Sequence, residues 1–364
     1  MKIALIGPSA PWRGGIAHYT ARLYRALERS GHRVELFNFK RLYPSLLFPG
    51  RTQIDHSDVQ FGVQDNRSLD PLDPLSWFAT IRRIVDFAPD RLVLQWWHPY
   101  FAPCYRAIST AASLAGIDVT VQCHNVEPHE STAIDGWLLQ LAYGGADRFV
   151  VQSEPERQRL RRYVRDGRGI RVAAHPPYDQ FAAQGATARD WRDRLGLRRQ
   201  RVLLFFGLVR HYKGVDILLE AVSRLPAELD VALVVAGEHY EDAARYTELI
   251  DRLALGDKVR LYDEYVPNED VAGLFELADA CVLPYRHATG SGVANIALSA
   301  GLPLLMSDLP DLRDAFGEGV WWFESESPRD LARRIEQLLA SDAATPAHDA
   351  HTWDAVVRAV TSTP

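Results

Sequence analysis

Segments that look like buried strands alternate with segments that look like amphipathic helices, and this alternation occurs twice along the chain. Short apolar runs such as Lys2–Ile6 and Arg91–Trp96 are separated by stretches with apolar residues at helical spacing, such as Thr20–Arg29. Parallel strands need a helical crossover, so this order is typical of a parallel sheet covered by helices on both faces. We therefore predict an α/β fold with two tandem Rossmann-like domains that face each other across a cleft and bind ligands at the carboxyl ends of their strands.

The predicted elements divide into two sets. The first set has strands at Lys2–Ile6, Val34–Phe39, Arg91–Trp96, Asp118–Cys123 and Arg148–Gln152, a further short strand at Val172–Ala174, and helices near 20–29, 103–115, 131–143 and 155–165. An irregular, aromatic and Pro-rich stretch is expected over roughly 40–75. The second set has strands at Val202–Phe206, Ala232–Ala236, Val259–Tyr262, Ala280–Leu283, Pro303–Met306 and Val320–Phe323, with helices near 214–224, 242–254, 269–277, 292–300 and 328–340.

The domain boundaries follow from this division. Residues 1–176 form the predicted N-terminal domain, residues 177–200 a linker rich in Pro and Arg, and residues 201–344 the C-terminal domain. The last segment, 345–364, contains an amphipathic helix with Trp353, Val356, Val357 and Val360 at i, i+3, i+4 and i+7. This apolar stripe needs a partner surface, and we expect it on the N-terminal domain.

Composition excludes several classes of protein. With 47% hydrophobic and 24% charged residues the protein is globular, and no apolar run reaches membrane-spanning length. Residues 1–180 carry 22 Lys and Arg against 18 Asp and Glu, an excess too small to indicate a nucleic-acid partner. The N-terminus lacks a signal-peptide pattern, and the three cysteines form neither a metal pattern nor a disulfide framework, so we expect a cytoplasmic protein.

An anion site is predicted at the first strand of the second domain. The segment FFGLVRHYKG ends an apolar strand at Gly207, then places Arg210 and Lys213 directly before a helix that begins near Gly214. The fixed charges and the positive end of the helix dipole point at one place, which suits the pyrophosphate of a nucleotide. The alternative for this segment alone is a solvated basic turn.

A second loop offers backbone donors to the same anion. Strand Ala280–Leu283 is followed by Thr289, Gly290, Ser291 and Gly292, which open a helix. A Ser at the N-cap with glycines beside it exposes several backbone N–H groups. Two loops at neighbouring strand ends, one cationic and one rich in amides, can hold one diphosphate from two sides.

The first loop of the protein argues against a dinucleotide-dependent dehydrogenase. Its glycines stand at positions 7, 14 and 15, which is not the G-x-G-x-x-G spacing, and the second strand ends in Asn38-Phe39-Lys40 without an acid. Gly14 and Gly15 still permit close approach of the backbone to a ligand.

A polar loop follows strand Asp118–Cys123. The segment QCHNVEPHE delivers His124 at the strand's carboxyl end and adds Asn125, His129 and Glu130. A single His is usually structural, but this grouping favours hydrogen bonding to a polar substrate. No zinc spacing is present, so we predict no metal at this loop.

Together these motifs resemble a known family. The opening Gly-Gly loop, the motif H-N-x-x-P-H-E in the middle of the sequence, the G-x-x-R-x-x-K-G and the closing S-G-V…A-L-x-x-G-x-P are similar to those of retaining glycosyltransferases of family 4, which have the GT-B fold. The resemblance covers nearly the whole sequence. It implies a hexosyltransferase-type enzyme that moves a sugar from a UDP- or GDP-sugar, held by the C-terminal domain, to an acceptor held by the N-terminal domain.

The resemblance also implies roles for individual residues. Arg210 and Lys213 would neutralise the diphosphate and His124 would contact the transferred sugar; these three are the candidate catalytic residues. The nucleotide-sugar donor would be contacted by Gly207, Glu238, Tyr265, Val266, Thr289, Gly290, Ser291, Gly292, Val293 and Asn295. The acceptor side would be lined by Gly14, Gly15, Asn125, His129 and Glu130.

One departure from the family concerns two glutamates. Many members carry them eight positions apart, where Ala288 and Ile296 stand in this sequence. One usually holds sugar hydroxyls and the other the ribose, so donor choice is affected, and Asn295 or Thr289 would serve as polar substitutes. Two alternatives remain: a sugar-nucleotide epimerase of the same architecture, and a non-catalytic sugar-nucleotide-binding homologue.

Metal independence is expected from the sequence. It contains no D-x-D motif, so fixed cations and a helix N-terminus would stabilise the leaving group in place of a divalent ion, and no cofactor is predicted. Two aromatic segments, 37–50 and 96–101, either pack inside the domain or form a basic, apolar surface for a membrane and a lipid-linked acceptor. The expected role is in bacterial cell-surface polysaccharide or glycolipid synthesis, with peripheral contact to the membrane's inner face.

Overall fold

The computed structural model describes residues 1–364 except 45–47, 49, 129–133, 165–166, 179–180, 182–184, 199, 342–351 and 363–364. The protein divides into two units. Unit 1 comprises Met1–His56, Gln60–Pro176 and His351–Pro364, and unit 2 comprises Ser57–Val59 and Pro177–Ala350.

Unit 1 is a parallel sheet of seven strands in the order β3-β2-β1-β4-β5-β6-β7. Its strands are β1 Lys2–Ile6, β2 Arg33–Phe39, β3 Asp65–Leu69, β4 Arg91–Trp96, β5 Asp118–Cys123, β6 Arg148–Val151 and β7 Gly169–Val172. Its helices are α1 Gly15–Arg29, α2 Pro74–Phe87, α3 Ala102–Leu114, α4 Asp135–Tyr143, α5 Glu154–Leu160 and, after unit 2, α13 Trp353–Thr361. The crossover at β1, where the strand order reverses, is the ligand-binding position of doubly wound sheets.

Two apolar layers cover the faces of this sheet. On one face Ile3, Leu5 and Val93 pack against residues of α1 and α13. On the other face the intervening side chains, such as Ile6 and Leu94, pack against α2, α3 and α4. The alternation of strand side chains between the two layers is the period of two expected of buried β-strands.

Unit 2 is a parallel sheet of six strands in the order β10-β9-β8-β11-β12-β13, which repeats the Rossmann order. Its strands are β8 Arg201–Phe206, β9 Val231–Ala236, β10 Val259–Tyr262, β11 Ala280–Leu283, β12 Leu304–Ser307 and β13 Trp321–Phe323. Its helices are α6 Ala188–Arg194, α7 Val215–Val222, α8 Ala244–Arg252, α9 Val271–Leu277, α10 Gly292–Ser299, α11 Pro310–Phe316 and α12 Pro328–Ala340. The predicted fold class, two Rossmann-like domains in tandem, is confirmed.

The final helix packs on unit 1, as predicted. Val356, Val357 and Val360 of α13 lie in the same apolar cluster as Leu23 and Leu27 of α1. The stripe that the sequence shows on this helix is therefore buried on one side. Among the residues that the structure describes, no helix combines the length and apolar character needed to cross a bilayer.

Several elements differ from the prediction. Strand β3 and helix α2 lie within or beside the stretch expected to be irregular, α11 was not predicted, and α1 begins at Gly15. The segment predicted as a linker contains α6, which a capping box between Thr187 and Asp190 begins and whose Trp191 is fully buried in the core of unit 2. The sequence DWRDRL looks polar because only Trp191 and Leu195 of its six side chains are buried in the core.

Of the two possibilities for the aromatic segments, the structure favours packing. Phe37, Phe39, Leu42, Trp96 and Phe101 are all buried in unit 1. Their rings contact one another and their neighbours, for example Phe39 against Phe101 at 5.4 Å between ring centroids. These five side chains are inside the core and cannot insert into a membrane. Residues 45–47 and 49 of the first segment lie outside the described residues, and the membrane contact predicted for the segments stays a prediction.

Candidate functional site

Two glycines shape the loop that follows β8. Gly207, directly after the strand, has φ 102°, and Gly214, the N-cap of α7, has φ 68°. A Cβ on Gly214 would lie 1.9 Å from the carbonyl oxygen of Pro284, so the loop backbone rests directly on the end of β11. A larger residue at 214 would push the two strand ends apart.

Lys213 is the half-buried cation at the centre of this loop. Its Nζ would be 3.2 Å from a Cβ built on Gly207, and the ring of Tyr285 lies 5.6 Å from it. Burial, with a smaller contribution from the charge of Arg210, lowers the pKa of Lys213 to about 8. Within the described part of the protein no carboxylate forms an ion pair with Lys213, so nothing there offsets its desolvation.

Arg210 and Arg286 differ in whether their guanidinium is paired with a carboxylate. The guanidinium of Arg210 lies 5.0 Å from the ring centroid of Tyr240, and its side chain forms no ion pair within the described residues. Arg286, which follows β11, donates to both carboxylate oxygens of Asp216 at 2.9 and 3.0 Å. Arg286 therefore joins loops together, whereas Arg210 and Lys213 keep their charge available for a ligand.

The N-terminus of α10 adds backbone donors beside Lys213. Ser291 is the N-cap, and its hydroxyl accepts a hydrogen bond from the backbone N–H of Ala294 at 3.1 Å. Val293 in the first turn is close to Gly207, since a Cβ built on Gly207 would lie 3.4 Å from its Cγ2. The structure thus brings Gly207, Lys213 and the first turn of α10 together, in the arrangement that suits an anion.

The other predicted donor residues lie around this centre or in the core. Glu238 is 1% exposed and follows Gly237, whose Cβ would lie 2.2 Å from the carbonyl oxygen of Gly207. Val266 packs in the core of unit 2, and Asn295 is fully buried. The hydroxyl of Tyr265 donates to the side-chain oxygen of Asn268 at 3.4 Å. The roles predicted for Tyr265 and Val266 stay predictions.

The two positions at which the family resemblance leads us to expect glutamates are apolar and packed. Ala288 and Ile296 are each 8% exposed and belong to the core of unit 2. Thr289 and Gly290 follow in the loop before α10, partly exposed. Neither side chain at these two positions can accept a hydrogen bond from a ligand.

His124 lies at the carboxyl end of β5 in unit 1, inside a buried polar cluster. Its Nε2–H donates to the side-chain oxygen of Gln95 at 2.8 Å, and its Nδ1 accepts from the amide of Gln152 at 3.3 Å. The ring of Tyr19 packs edge-on at 4.6 Å. Burial, and next the neighbouring His175, lower the pKa of His124 to about 3. The imidazole is therefore neutral with a fixed tautomer.

This geometry limits what His124 can do. Nε2 binds Gln95 and Nδ1 binds Gln152, so neither nitrogen is placed to exchange a proton with a substrate. The two amide partners hold the ring in place. The sequence gives no local sign of these partners, because Gln95 lies on the neighbouring strand β4 and Gln152 lies just after β6.

The remaining acceptor-side residues are placed as follows. Gly14 is the N-cap of α1 with φ 104°, and Gly15 is the first residue of that helix. Asn125 directly follows His124 and is partly exposed. His129 and Glu130 lie outside the described residues. No group of three or more His, Cys, Asp or Glu side chains able to hold a metal ion occurs among the residues that the structure describes.

Two aromatic residues of the site were missed by sequence reasoning. Tyr285 faces the ammonium of Lys213, and its hydroxyl lies 3.4 Å from that of Ser291. Tyr240 faces the guanidinium of Arg210. Their position in the sequence could have indicated them. Tyr285 follows the carboxyl end of β11 and Tyr240 that of β9, where side chains meet ligands.

Comparison with known proteins identifies two families along the sequence. Residues 14–178 match the family model for the glycosyl transferase 4-like domain, and residues 188–351 match the model for glycosyl transferases group 1. Together the two models account for nearly the whole protein.

Individual relatives are more distant. The protein is 32% identical over 206 residues to D-inositol 3-phosphate glycosyltransferase 1 of Catenulispora acidiphila, covering 53% of this chain and 49% of the relative. It thus spans about half the length of the curated relatives it matches. Two solved structures have a similar fold. One is Anabaena HepE in complex with UDP-glucose, with TM-score 0.70, 14% identity and coverage of 99% and 95% of the two chains. The other is sucrose-phosphate synthase of Thermosynechococcus elongatus, with TM-score 0.65, 18% identity and coverage of 99% and 94%.

Proposed function

The protein belongs to the glycosyltransferase families that these two models describe, and we propose that it is a retaining hexosyltransferase that uses a UDP- or GDP-sugar. The acceptor is a glycan or a lipid-linked sugar of bacterial cell-surface polysaccharide or glycolipid synthesis. The enzyme works in the cytoplasm at the inner face of the membrane, without a metal ion or another cofactor. The observation that carries the proposal is the half-buried Lys213, next to Arg210 and the first turn of α10.

The leaving group explains why this cluster matters. As the bond between the anomeric carbon and the diphosphate breaks, negative charge grows on the diphosphate oxygens. Lys213 and Arg210 offer charges, and the N-terminus of α10 offers backbone N–H groups, which need no reorganisation as the charge grows. A lysine whose pKa is lowered to about 8 is still mostly protonated at neutral pH.

Retention follows if the acceptor attacks from the side that the diphosphate leaves. The acceptor oxygen forms its bond to the anomeric carbon, the old carbon–oxygen bond breaks, and a diphosphate oxygen takes the acceptor's proton. This route needs no protein nucleophile and no proton transfer by His124, whose two ring nitrogens bind Gln95 and Gln152. His124 instead supports the transferred sugar through its fixed ring edge.

Donor choice is expected to differ from that of relatives with two glutamates. Ala288 and Ile296 cannot accept hydrogen bonds from hydroxyls, so the ribose and the sugar rely on nearby polar groups such as the partly exposed Thr289. The same departure favours a second candidate, a homologue that binds nucleotide sugars without transferring them.

One experiment separates these functions. The protein is incubated with a panel of UDP- and GDP-sugars, with and without bacterial lipid extract, and the release of nucleoside diphosphate is measured. A transferase releases diphosphate in an acceptor-dependent way. An epimerase changes the sugar without needing an acceptor, and a binding protein shifts its melting temperature with a nucleotide sugar but releases nothing.

A further inference from the structure

Large apolar side chains are exposed at one end of helix α2. Leu72, Leu75 and Phe78 are 53%, 78% and 70% exposed. They stand at the start of the helix, whose N-cap is Asp73 and whose first residue is Pro74. Protein surfaces carry isolated apolar residues of this kind, but three within one helical turn and its approach form a patch.

A second pair of exposed apolar residues lies at the same edge of unit 1. Ile134 and Trp137, at the start of α4, are 65% and 66% exposed. Helices α2 and α4 each begin after the carboxyl end of a strand, β3 and β5, and in a parallel sheet all carboxyl ends share one edge. Both helices also cover the same face of the sheet, with α3 between them.

Cations follow the apolar tip of α2 at a defined depth. Leu75, Phe78 and Arg82 stand at i, i+3 and i+7, so they share one side of the helix. Arg82 lies about 6 Å beyond Phe78 along the axis, at 1.5 Å per residue. Its side chain is 86% exposed and its Nε lies 3.9 Å from the carboxylate of Asp86, which is 70% exposed, and Arg83 is exposed beside it. Lys40 and Arg41, also at this edge, pair with Asp73 and Asp70.

We propose that this surface, Leu72, Leu75, Phe78, Ile134 and Trp137, docks unit 1 on a bilayer that contains anionic lipid. The apolar tip enters the boundary between head groups and acyl chains, to a depth of about 5–10 Å. Arg82 and Arg83 then stand at the level of the anionic head groups, where each cation adds to the attraction. The proposal rests on the proposed function and extends it, because a lipid-linked acceptor lies at such a surface.

The size and pattern of the patch favour a lipid surface over a protein. A stable protein interface uses about 20–30 residues on each side, whereas this patch has five large apolar side chains. On α2 the residues also lie in tiers, with Leu75 and Phe78 at the tip and Arg82 and Arg83 one turn behind. A bilayer surface has charged and apolar layers at fixed depths, and it matches that order.

The test compares matched variants of the full-length protein in vesicle co-sedimentation, without donor or acceptor. Vesicles contain either phosphatidylcholine alone or phosphatidylcholine with phosphatidylglycerol. L75S/F78S should reduce binding to the anionic vesicles at least about tenfold, since two apolar side chains no longer insert. The control is L114S, because Leu114 is 85% exposed but ends α3 at the opposite edge of the sheet. R82A/R83A should weaken binding to anionic vesicles and leave binding to neutral vesicles unchanged.

Two outcomes would overturn the proposal. One is equal vesicle binding by L75S/F78S, L114S and the unchanged protein. The other is a protein that ignores vesicles but loses self-association in L75S/F78S, measured by sedimentation velocity, which would assign the patch to a second copy. Failure of the proposed function would appear separately, as no acceptor-dependent release of nucleoside diphosphate from the panel of UDP- and GDP-sugars with lipid extract, and would leave the vesicle result standing.

Discussion

Arg91 donates a hydrogen bond from Nη1 to the carbonyl oxygen of Val360 at 2.6 Å, although the two residues are 269 positions apart in the sequence. The same nitrogen reaches the carbonyl oxygen of Ser362 at 3.1 Å, and Nη2 pairs with Asp118 at 2.9 Å. A guanidinium from β4 thus caps the carboxyl end of α13, where backbone carbonyls lack helical partners. This contact fastens the last helix to the strands of unit 1.

Replacing Arg91 should therefore loosen α13. We expect Arg91→Ala to lower the free energy of unfolding by about 3 kcal/mol, because Asp118 loses a buried partner and the helix loses its cap. Urea unfolding measures the loss, and hydrogen exchange of the α13 amides shows whether it is local. Arg82→Ala is the control, since Arg82 is exposed and should change stability by no more than about 0.5 kcal/mol. An Arg91→Ala protein as stable as the control would contradict this account of α13.

Arg210→Ala and Lys213→Ala should each slow sugar transfer while leaving the fold intact. On the proposed function each would remove a charge-assisted hydrogen bond to the leaving diphosphate, which corresponds to roughly a 10- to 100-fold loss of rate. Initial rates of nucleoside diphosphate release test this, with circular dichroism as the check on folding. Arg224→Ala, an exposed arginine on unit 2, is the matched control and should keep its rate. Rates within twofold of the unchanged protein for both loop variants would exclude them from the diphosphate site.

Much of this site follows from local sequence. Strand β8, Gly207, Lys213 and the Ser291 cap are all within short motifs, so the pattern predicts their grouping. Tyr285 and Gln95 were missed because their contacts join segments far apart in the sequence.

The fold likewise divides into elements that local sequence predicts and elements that depend on distant contacts. Apolar strands were predicted, whereas the edge strand β3, with sequence DNRSL, is held by backbone pairing to β2 and lacks an apolar run. Helix α2 begins at a clear start signal, the N-cap Asp73 followed by Pro74. The aromatic and Pro-rich composition of the stretch before it made this region look irregular.

His124 should make the protein sensitive to acid. Its pKa is lowered to about 3 in the folded state, below the ordinary 6.5, so the unfolded protein binds a proton first as the pH falls. Its contribution to stability is full above about pH 6.5 and decreases by about 1.4 kcal/mol per pH unit from there toward pH 3. Urea unfolding at several pH values should show a shallower decrease for His124→Gln, which does not titrate. If the free energy of unfolding depends on pH equally in the two proteins, the assignment of His124 as buried and neutral is contradicted.

Transfer should survive chelation of divalent metals. The sequence contains no D-x-D motif, and on the proposed function Lys213 and Arg210 take the role that a metal ion has in other transferases. Excess EDTA should change the turnover by less than about twofold. A drop of more than about tenfold that magnesium or manganese restores would count against a leaving group stabilised by protein cations alone.

The pH dependence of nucleotide binding tests Lys213 directly. In the free protein its pKa is about 8, so above that pH the side chain loses its proton and its charge. A bound diphosphate favours the charged form, and affinity for UDP or GDP should therefore fall as pH rises, approaching tenfold per unit well above pH 8. Calorimetry between pH 7 and about 9.5 measures this, in a range where the nucleotide phosphate is already ionised. Lys213→Arg keeps its charge throughout, so its affinity should stay nearly flat across the same range. If the unchanged protein and Lys213→Arg lose affinity in parallel, another group titrates and Lys213 does not hold the diphosphate.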